Sequence, residues 1–190
     1  MLLLVGLGNP GSNFINTRHN IGFKIIDAIN SHFKLSKQKP KFKGLLTTGN
    51  IDEKKIYAIK PLTFMNNSGT AIKELIDYFK IDAKDVFVFH DDLDIDFGKI
   101  KAKFGGSSAG HNGIESIDKF IGKDYSRVRI GIGHPKQKKK VNNHVLEDFK
   151  EDEEEKINEI SENIVKQLPN LIDKKIDLFS SKVNQDLNGI

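Results

Sequence analysis

The chain has 190 residues, of which 37% are hydrophobic and 29% charged, a balance typical of a soluble globular domain. No apolar run approaches the roughly 18–20 residues that span a bilayer, and residues 1–7 lack the length and basic region of a signal peptide. The absence of cysteine excludes disulfides, thiolate zinc sites and a cysteine nucleophile. We therefore expect a cytoplasmic protein with no membrane partner.

The net charge of +4 conceals an uneven distribution. Residues 1–146 carry 24 Lys and Arg against 14 Asp and Glu, whereas residues 147–190 carry 6 against 12. The basic body indicates an anionic partner such as nucleic acid or a phosphorylated ligand, although a lysine-rich solvated surface gives the same count.

The hydrophobic pattern predicts strands that alternate with helices. In chain order, the predicted elements are a buried strand 1–6, a loop 8–19, an amphipathic helix 20–34, a hairpin of strands 43–50 and 55–60, a helix 67–80, a buried strand 86–91, a half-exposed strand 99–104, a helix 112–121, a strand 126–133 and two helices after residue 151. This alternation predicts an α/β fold, a three-layer sandwich forming one domain over residues 1–190. Residues 151–190 are its acidic helical segment.

Residues 6–11, GLGNPG, match the G-x-G-x-x-G motif of dinucleotide-binding proteins. That motif needs a helix that begins inside it and an acidic residue about 20 positions later. Here Pro10 removes an N–H from the turn, and helical periodicity begins only near Asn20. No second apolar strand ending in an acid follows, so the dinucleotide interpretation is disfavoured.

Polar side chains collect where the predicted strands end. The residues concerned are Asn9, Asn13, Asn16, Arg18, His19, Asn20, Asn66, Asn67, His90, Asp91, Asp92, His111 and Asn112. In α/β sheets the ligand crevice lies at the carboxyl ends of the strands. Asn and Asp also favour turns, but this explains less well why a buried apolar strand should end in His-Asp-Asp.

The acids after that strand raise the question of a metal site. Residues 92–96 have the acidic spacing of a calcium loop, but Phe97 and Lys103 stand where the loop needs Gly and Glu. A looser magnesium site on Asp91 and Asp92 remains as an alternative.

The sequence offers two ways to attack an ester without a metal. Residues 106–110, GSSAG, match the G-x-S-x-G elbow of serine hydrolases, but the preceding strand alternates Lys with apolar residues as an edge strand does. A serine esterase using Ser108 therefore stays a weaker alternative. Direct activation of water needs a histidine oriented by a carboxylate, and His19 with Asp91 fits that requirement.

Five blocks of sequence carry a resemblance to a known family. They are VGLGNPGSNFINTRHNIGF, PLTFMNNSG, HDDLDIDFG, GGSSAGHNGIESI and RVRIGIGHP, within residues 5–135. In content, order and total length the chain resembles the bacterial peptidyl-tRNA hydrolases. The resemblance implies a monomeric domain with a mixed, twisted sheet, and hydrolysis of the ester between a peptide and the 3′ end of tRNA. We also expect no cofactor and no metal, because no set of residues here has convincing metal-ligand spacing.

The resemblance also implies catalytic roles for three residues. His19 would be the general base that takes a proton from water, and Asp91 would orient it. Asn9 would lie beside the base and help to select N-blocked peptidyl groups over free aminoacyl-tRNA. Gly6 and Gly8 would let the backbone approach the ligand.

Further residues would bind the substrate. Asn66 and Asn112 would contact its main chain and terminal adenosine, and Asn66 would stabilise the developing oxyanion. Phe64 and Met65 would form the pocket wall. Phe14 stands where the family often has Tyr, so it would contribute its ring but not a hydroxyl.

The basic residues are organised by the same resemblance. Lys103 and Arg129 would clamp a tRNA phosphate, and Lys138, with Lys136, Lys139 and Lys140, would extend the patch. A solvated loop remains the alternative for these four lysines. A non-catalytic RNA-binding protein on the same fold is the alternative for the whole chain.

Overall fold

The computed structural model describes residues 1–135 and 141–187. Its strands are β1 (Leu2–Gly6), β2 (Lys39–Lys41), β3 (Gly44–Ile51), β4 (Lys54–Pro61), β5 (Val86–Asp92), β6 (Ile100–Phe104) and β7 (Ser126–Gly131). Its helices are α1 (Ile21–His32), α2 (Ser68–Phe79), α3 (Asn112–Ile121), α4 (Val141–Leu146), α5 (Glu151–Ile172) and α6 (Ile176–Leu187). The predicted α/β class is confirmed.

The seven strands form one mixed sheet in the order β2-β3-β4-β1-β5-β7-β6. The central strand β1 runs parallel to both β4 and β5, and β5 runs parallel to β7. The remaining neighbours are antiparallel, including the predicted β3–β4 hairpin. The carboxyl ends of the parallel strands therefore lie at one edge of the sheet.

Helices cover both faces of the sheet, which makes the expected three layers. Alternate residues of β1 point to opposite faces, because side chains in a strand have a period of two. Leu4 packs into the core beneath α1, α5 and α6, whereas Leu3 and Val5 pack beneath α2 and α3. With both faces covered, all seven residues of β5 are buried.

Two elements were not predicted from the sequence. Strand β2 is three exposed residues around Pro40 at one edge of the sheet, where Pro and Lys are tolerated. Helix α4 is six residues long and none of them is buried, so it carries no apolar period. The prediction of a half-exposed strand at 99–104 is confirmed, since β6 forms the opposite edge.

The glycines near the N-terminus bring a helix, rather than a ligand, close to the backbone. A Cβ atom on Gly6 would lie 2.2 Å from the carbonyl oxygen of Gly22 in α1, and one on Gly8 would lie 2.8 Å from the Phe23 ring. Helix α1 begins at Ile21, well after the G-x-G-x-x-G motif. The expectation that Gly6 and Gly8 admit a ligand was therefore wrong, because α1 fills that space.

The acidic C-terminal segment is part of the core. Helix α5 begins with four acids in its first turn and buries an apolar stripe that includes Ile157, Ile160 and Ile164. Helix α6 adds Phe179 and Val183 to the same core. Within residues 1–135 and 141–187, no helix combines the length and the apolar character needed to cross a membrane.

The contact between α1 and the sheet gives a first prediction. A Cβ atom on Gly22 would lie 2.3 Å from the Leu7 nitrogen and 2.4 Å from the Phe89 oxygen. Gly22→Ala gains about 1 kcal/mol of helix propensity but forces helix and sheet apart, and overpacking costs about 1–3 kcal/mol, occasionally more. We expect a net loss in the free energy of unfolding, measured by denaturant titration. Ser31→Ala, an exposed change in the same helix, should shift it by no more than about 0.5 kcal/mol.

Candidate active site

The polar residues singled out in the sequence meet where β1 and β5 end. These strands are parallel neighbours, so the loop after β1 and the last residues of β5 lie at the same edge. The loop carries His19 in a short 3-10 turn, Arg18–Asn20, directly before α1. Asp91 lies near the end of β5, and α3 begins nearby at Asn112.

His19 and Asp91 form a buried pair. The Nδ1 atom of His19 lies 2.9 Å from each carboxylate oxygen of Asp91, and the two residues are 8% and 2% exposed. Burial opposes the charged imidazole, but the charge and hydrogen bond of Asp91 outweigh it and raise the pKa of His19 above 6.5. Burial would raise the pKa of Asp91, but His19 and His111 lower it far below its usual value. The carboxylate is therefore ionised, and Nε2 of His19 remains for chemistry.

A second histidine binds the same carboxylate. Nδ1 of His111 accepts the backbone N–H groups of Gly113 and Ile114, at 3.1 and 3.3 Å, and so caps α3. Because Nδ1 accepts these bonds, the neutral ring carries its proton on Nε2, and this N–H donates to Asp91 at 2.9 Å. Sequence reasoning gave His111 no role, although its position directly before a predicted helix was a signal for a cap.

His90 lies behind this cluster. Its ring packs edge-on against that of His111, with 4.9 Å between centroids, and its Nδ1–H donates to the Asp91 backbone oxygen at 2.8 Å. Burial, reinforced by the nearby His111, lowers the pKa of His90 well below 6.5. His90 is therefore a neutral support for the strand end, without the charge that would compete with His19 for Asp91.

Asn9 is held by two partners. Its backbone N–H and carbonyl pair with the side-chain amide of Asn20, at 2.8 and 2.9 Å. Its side-chain oxygen accepts the N–H of Met65 at 2.9 Å. Because that oxygen is already bonded, the amide N–H groups of Asn9 are the donors left for a ligand. Asn20 is a positioning residue to which sequence reasoning assigned no role.

Two cavities meet at His19. One, which we call the loop cavity, has a volume of about 330 Å³ and is lined by Asp91, Asp92 and the loop 108–111. The other, the asparagine cavity, has a volume of about 340 Å³ and is lined by Asn9 and Asn66. His19, Asn112, Asn142 and Val145 line both. The two cavities together form one cleft with the imidazole in its middle.

The remaining predicted pocket residues divide into two groups. Phe64, Met65, Asn66 and Asn112 all line the asparagine cavity, where Phe64 is largely exposed and Met65 is buried. Phe14 lines neither cavity of this cleft; it is half-buried in a short 3-10 turn beside Gly11.

Comparison with known proteins decides the family. A family model described as peptidyl-tRNA hydrolase matches residues 3–189. The chain belongs to the peptidyl-tRNA hydrolase family. A relative of that name from Pelagibacter ubique (strain HTCC1062) is 73% identical over 97% of this chain and 99% of its own length. Another from Ehrlichia ruminantium (strain Welgevonden) is 45% identical over 95% of this chain and 93% of its own length.

Solved structures agree on the fold. The crystal structure of peptidyl-tRNA hydrolase from Acinetobacter baumannii superposes with a TM-score of 0.90 and 34% identity, covering 97% of this chain and 94% of that one. The chain is accordingly an enzyme of the peptidyl-tRNA hydrolase family with a single-domain mixed α/β fold.

This member of the peptidyl-tRNA hydrolase family also carries a cationic cluster at the edge of the sheet. Lys103 on β6 lies opposite Arg127 on β7, with Arg129 two residues further along β7. Partial burial and the charges of Arg129 and Arg127 lower the pKa of Lys103. Arg127 is buried and paired with Asp118 at 2.7 Å, whereas Arg129 is bonded through Nε to Asp92 at 2.7 Å and keeps some exposure. Lys138 and its neighbours Lys136, Lys139 and Lys140 lie outside the described residues.

The geometry disfavours the magnesium alternative. Both oxygens of Asp91 contact histidine nitrogens, and the oxygens of Asp92 accept from Arg129 and from the backbone N–H of Asp94. Among the residues described, His19, Asp91 and His111 offer ligand atoms within 4.8 Å of one another. The Asp91 oxygens and the histidine nitrogens that face them are already hydrogen-bonded to one another, and a bound ion would have to displace those bonds.

Ser108 also lacks the partner that a nucleophile needs. Its hydroxyl donates to Glu115 at 3.2 Å, and the nearby His111 has both ring nitrogens engaged, one by the α3 cap and one by Asp91. Among the residues described, no histidine is hydrogen-bonded to the serine in the loop cavity, which disfavours the elbow interpretation of this glycine-rich loop.

The His19–Asp91 pair gives a second prediction, testable by NMR titration of the histidine rings. His19 should titrate above pH 6.5, and Asp91→Asn should lower its midpoint because the opposing charge is removed. Since folding raises the pKa of His19, its contribution to stability is full below about pH 6.5 and is lost as pH rises through the folded value. His90 should stay neutral through this range, and a charged His90 at pH 6.5 would contradict our account of the cluster.

Proposed function

We propose that this chain hydrolyses the ester between the peptide and the 3′ end of tRNA, with His19 as general base and Asp91 orienting it. One observation carries the proposal: the imidazole lies at the junction of two cavities with its Nδ1 bonded to a buried carboxylate. An ester in this cleft has its peptide on one side of His19 and its nucleoside on the other. The family membership supports the same substrate.

The chemistry needs one base and one water. Nε2 of His19 accepts a proton from water, and the hydroxide attacks the ester carbonyl to give a tetrahedral oxyanion. Collapse of this intermediate breaks the bond to the ribose oxygen, which takes the proton back from the imidazolium. The Asp91 charge stabilises the imidazolium between these steps, in agreement with the raised pKa of His19.

Amide donors around the cleft suit the rest of the substrate. The free N–H groups of Asn9 match the acyl carbonyl of an N-blocked residue and oppose the ammonium group of free aminoacyl-tRNA. Asn66 and Asn112, on the wall of the asparagine cavity, would bind the substrate main chain and terminal adenosine, and Asn66 would bind the oxyanion. Phe64 and Met65 would pack against the substrate, with Phe14 contributing its ring from outside the two cavities.

The tRNA phosphate would bind at the cationic cluster. Lys103 lies on the edge strand β6 and Arg129 on its neighbour β7, close enough for the charge of Arg129 to help lower the pKa of Lys103. A phosphate between them would relieve this repulsion, which is the physical reason for expecting an anion there. We propose that Lys138 extends the same surface.

A third prediction tests the base. His19→Ala should fold normally and lose roughly 10²–10⁴-fold in kcat, measured as release of N-acetyl-aminoacyl groups from tRNA. Asp91→Asn should fall in the same direction, because an amide leaves the imidazole in the wrong tautomer. Near-normal rates in both variants, with tRNA binding retained, would favour a binding protein over the proposed enzyme.

Two controls separate this mechanism from the alternatives. Ser108→Ala should keep most activity, and a dead variant would support the serine esterase. Activity should also survive EDTA, whereas a loss restored by Mg²⁺ would favour metal catalysis.

A fourth prediction separates RNA binding from chemistry. Lys103→Ala and Arg129→Ala should raise KM for full-length substrate, leave kcat nearly unchanged and reduce the salt slope by roughly 0.7–0.9 per lost contact. On a peptide esterified to a short 3′ fragment that lacks the clamped phosphate, both variants should match the wild type. Equal impairment on both substrates would reject the clamp.

A further inference from the structure

The residue before His19 is an arginine with an unusual set of partners. The Arg18 side chain is 4% exposed, and its guanidinium donates to the backbone oxygen of Asp148 at 2.7 Å and of Glu147 at 3.3 Å. The other terminal nitrogen donates to the Glu153 carboxylate at 2.6 Å. The ring of Phe149 lies 5.4 Å from the guanidinium carbon. Every one of these partners belongs to the segment that enters α5.

The backbone strengthens this connection. The Arg18 N–H donates to the Glu147 oxygen at 3.0 Å, and the Phe149 N–H donates to the Asn16 oxygen at 3.2 Å. Residues 147–149 thus lie against the loop that carries His19, like a short antiparallel pair. Glu153 also accepts the Lys150 N–H at 2.8 Å and caps α5, so one carboxylate fixes both the helix start and Arg18.

The segment held by Arg18 is joined directly to helix α4. That helix supplies Asn142 and Val145 to both cavities of the cleft, and so forms its roof. None of its residues is fully buried and Val145 packs only against the margin of the core, so core packing alone does not fix its position. His144 contacts the Ile132 backbone oxygen at 3.2 Å, and residues 147–149, which Arg18 holds, directly follow the C-terminal end of the helix.

We infer that Arg18 and Glu153 act as positioning residues that hold α4 over the cleft, so that the acidic C-terminal segment takes part in substrate binding. The inference rests on the proposed function for what the cleft binds. Arg18 touches no substrate; it acts by fixing residues 147–149. The planar guanidinium of Arg18 donates to three acceptors at once. Lys cannot replace it, because its ammonium group is a single compact charge.

A neighbouring ion pair supplies the matched control. Lys24 of α1 lies 3.1 Å from Glu154 of α5, joining the same helix to the body of the protein one residue further along. Neither residue lines the two cavities, and within residues 1–135 and 141–187 neither is hydrogen-bonded to residues 147–149. Loss of this pair weakens the attachment of α5 without releasing the roof.

The experiment compares Arg18→Lys with Glu154→Gln on the peptide esterified to a short 3′ fragment of tRNA. If Arg18→Lys leaves the roof in place in about a tenth of the molecules, KM rises about tenfold while kcat stays within about threefold. Amide hydrogen exchange over residues 141–149 should become faster in this variant. In Glu154→Gln, KM and exchange in that segment should stay as in the wild type, whatever the change in Tm.

Further variants and probes keep the result decisive. Glu153→Gln retains an oxygen for Arg18 and should give a smaller rise in KM than Arg18→Lys; it carries the comparison if Arg18→Lys does not fold. Unchanged exchange, a fall in kcat alone, or equal effects in Glu154→Gln would overturn the inference. If the wild type fails to cleave the ester, only the proposed function is rejected. The role of Arg18 is then tested by the affinity of the wild type and Arg18→Lys for an uncleavable analogue in which an amide replaces the ester.

Discussion

The arrangement of the site depends on one buried negative charge, the carboxylate of Asp91. It lies in a strand covered by helices on both faces, where an isolated charge would be costly. Two imidazole N–H groups compensate for it, one from the loop after β1 and one from the loop before α3. The charge thereby fixes the position of two connections that have little regular structure of their own. Without the Asp91 carboxylate, both imidazoles would lose their hydrogen-bond acceptor at the end of β5.

Much of the fold follows from patterns that can be read locally. The all-apolar beginning of β5 predicts a strand covered on both faces, and the alternation in β6 predicts an edge. The polar ends of parallel strands predict that His19 and Asp91 lie near each other, as they do. Their roles in catalysis are inferences from this proximity and from the family.

Other features depend on tertiary contacts that leave no local signal. The position of His111 depends on two contacts, because one ring nitrogen caps α3 and the other bonds Asp91, 20 positions earlier in the sequence. Helix α4 is six residues long and has no fully buried residue, so its sequence has no apolar period to detect. Gly6 and Gly8 resemble part of a phosphate-binding turn in the sequence. In the structure they allow close contact with Gly22 and Phe23 of α1, which no local pattern around Gly6 and Gly8 indicates.

The bonds of Arg18 join residues about 130 positions apart in the sequence. Contacts of this separation form late, since a long loop must close before they contribute. A chain emerging from the ribosome would therefore carry His19 and Asp91 long before residues 147–153 could reach the loop directly before His19. The cleft acquires its roof only after residues 147–153 have been synthesised, so an enzyme proposed to act on peptidyl-tRNA passes through a stage, while it is itself a peptidyl-tRNA, in which it carries the base and its carboxylate but an open cleft.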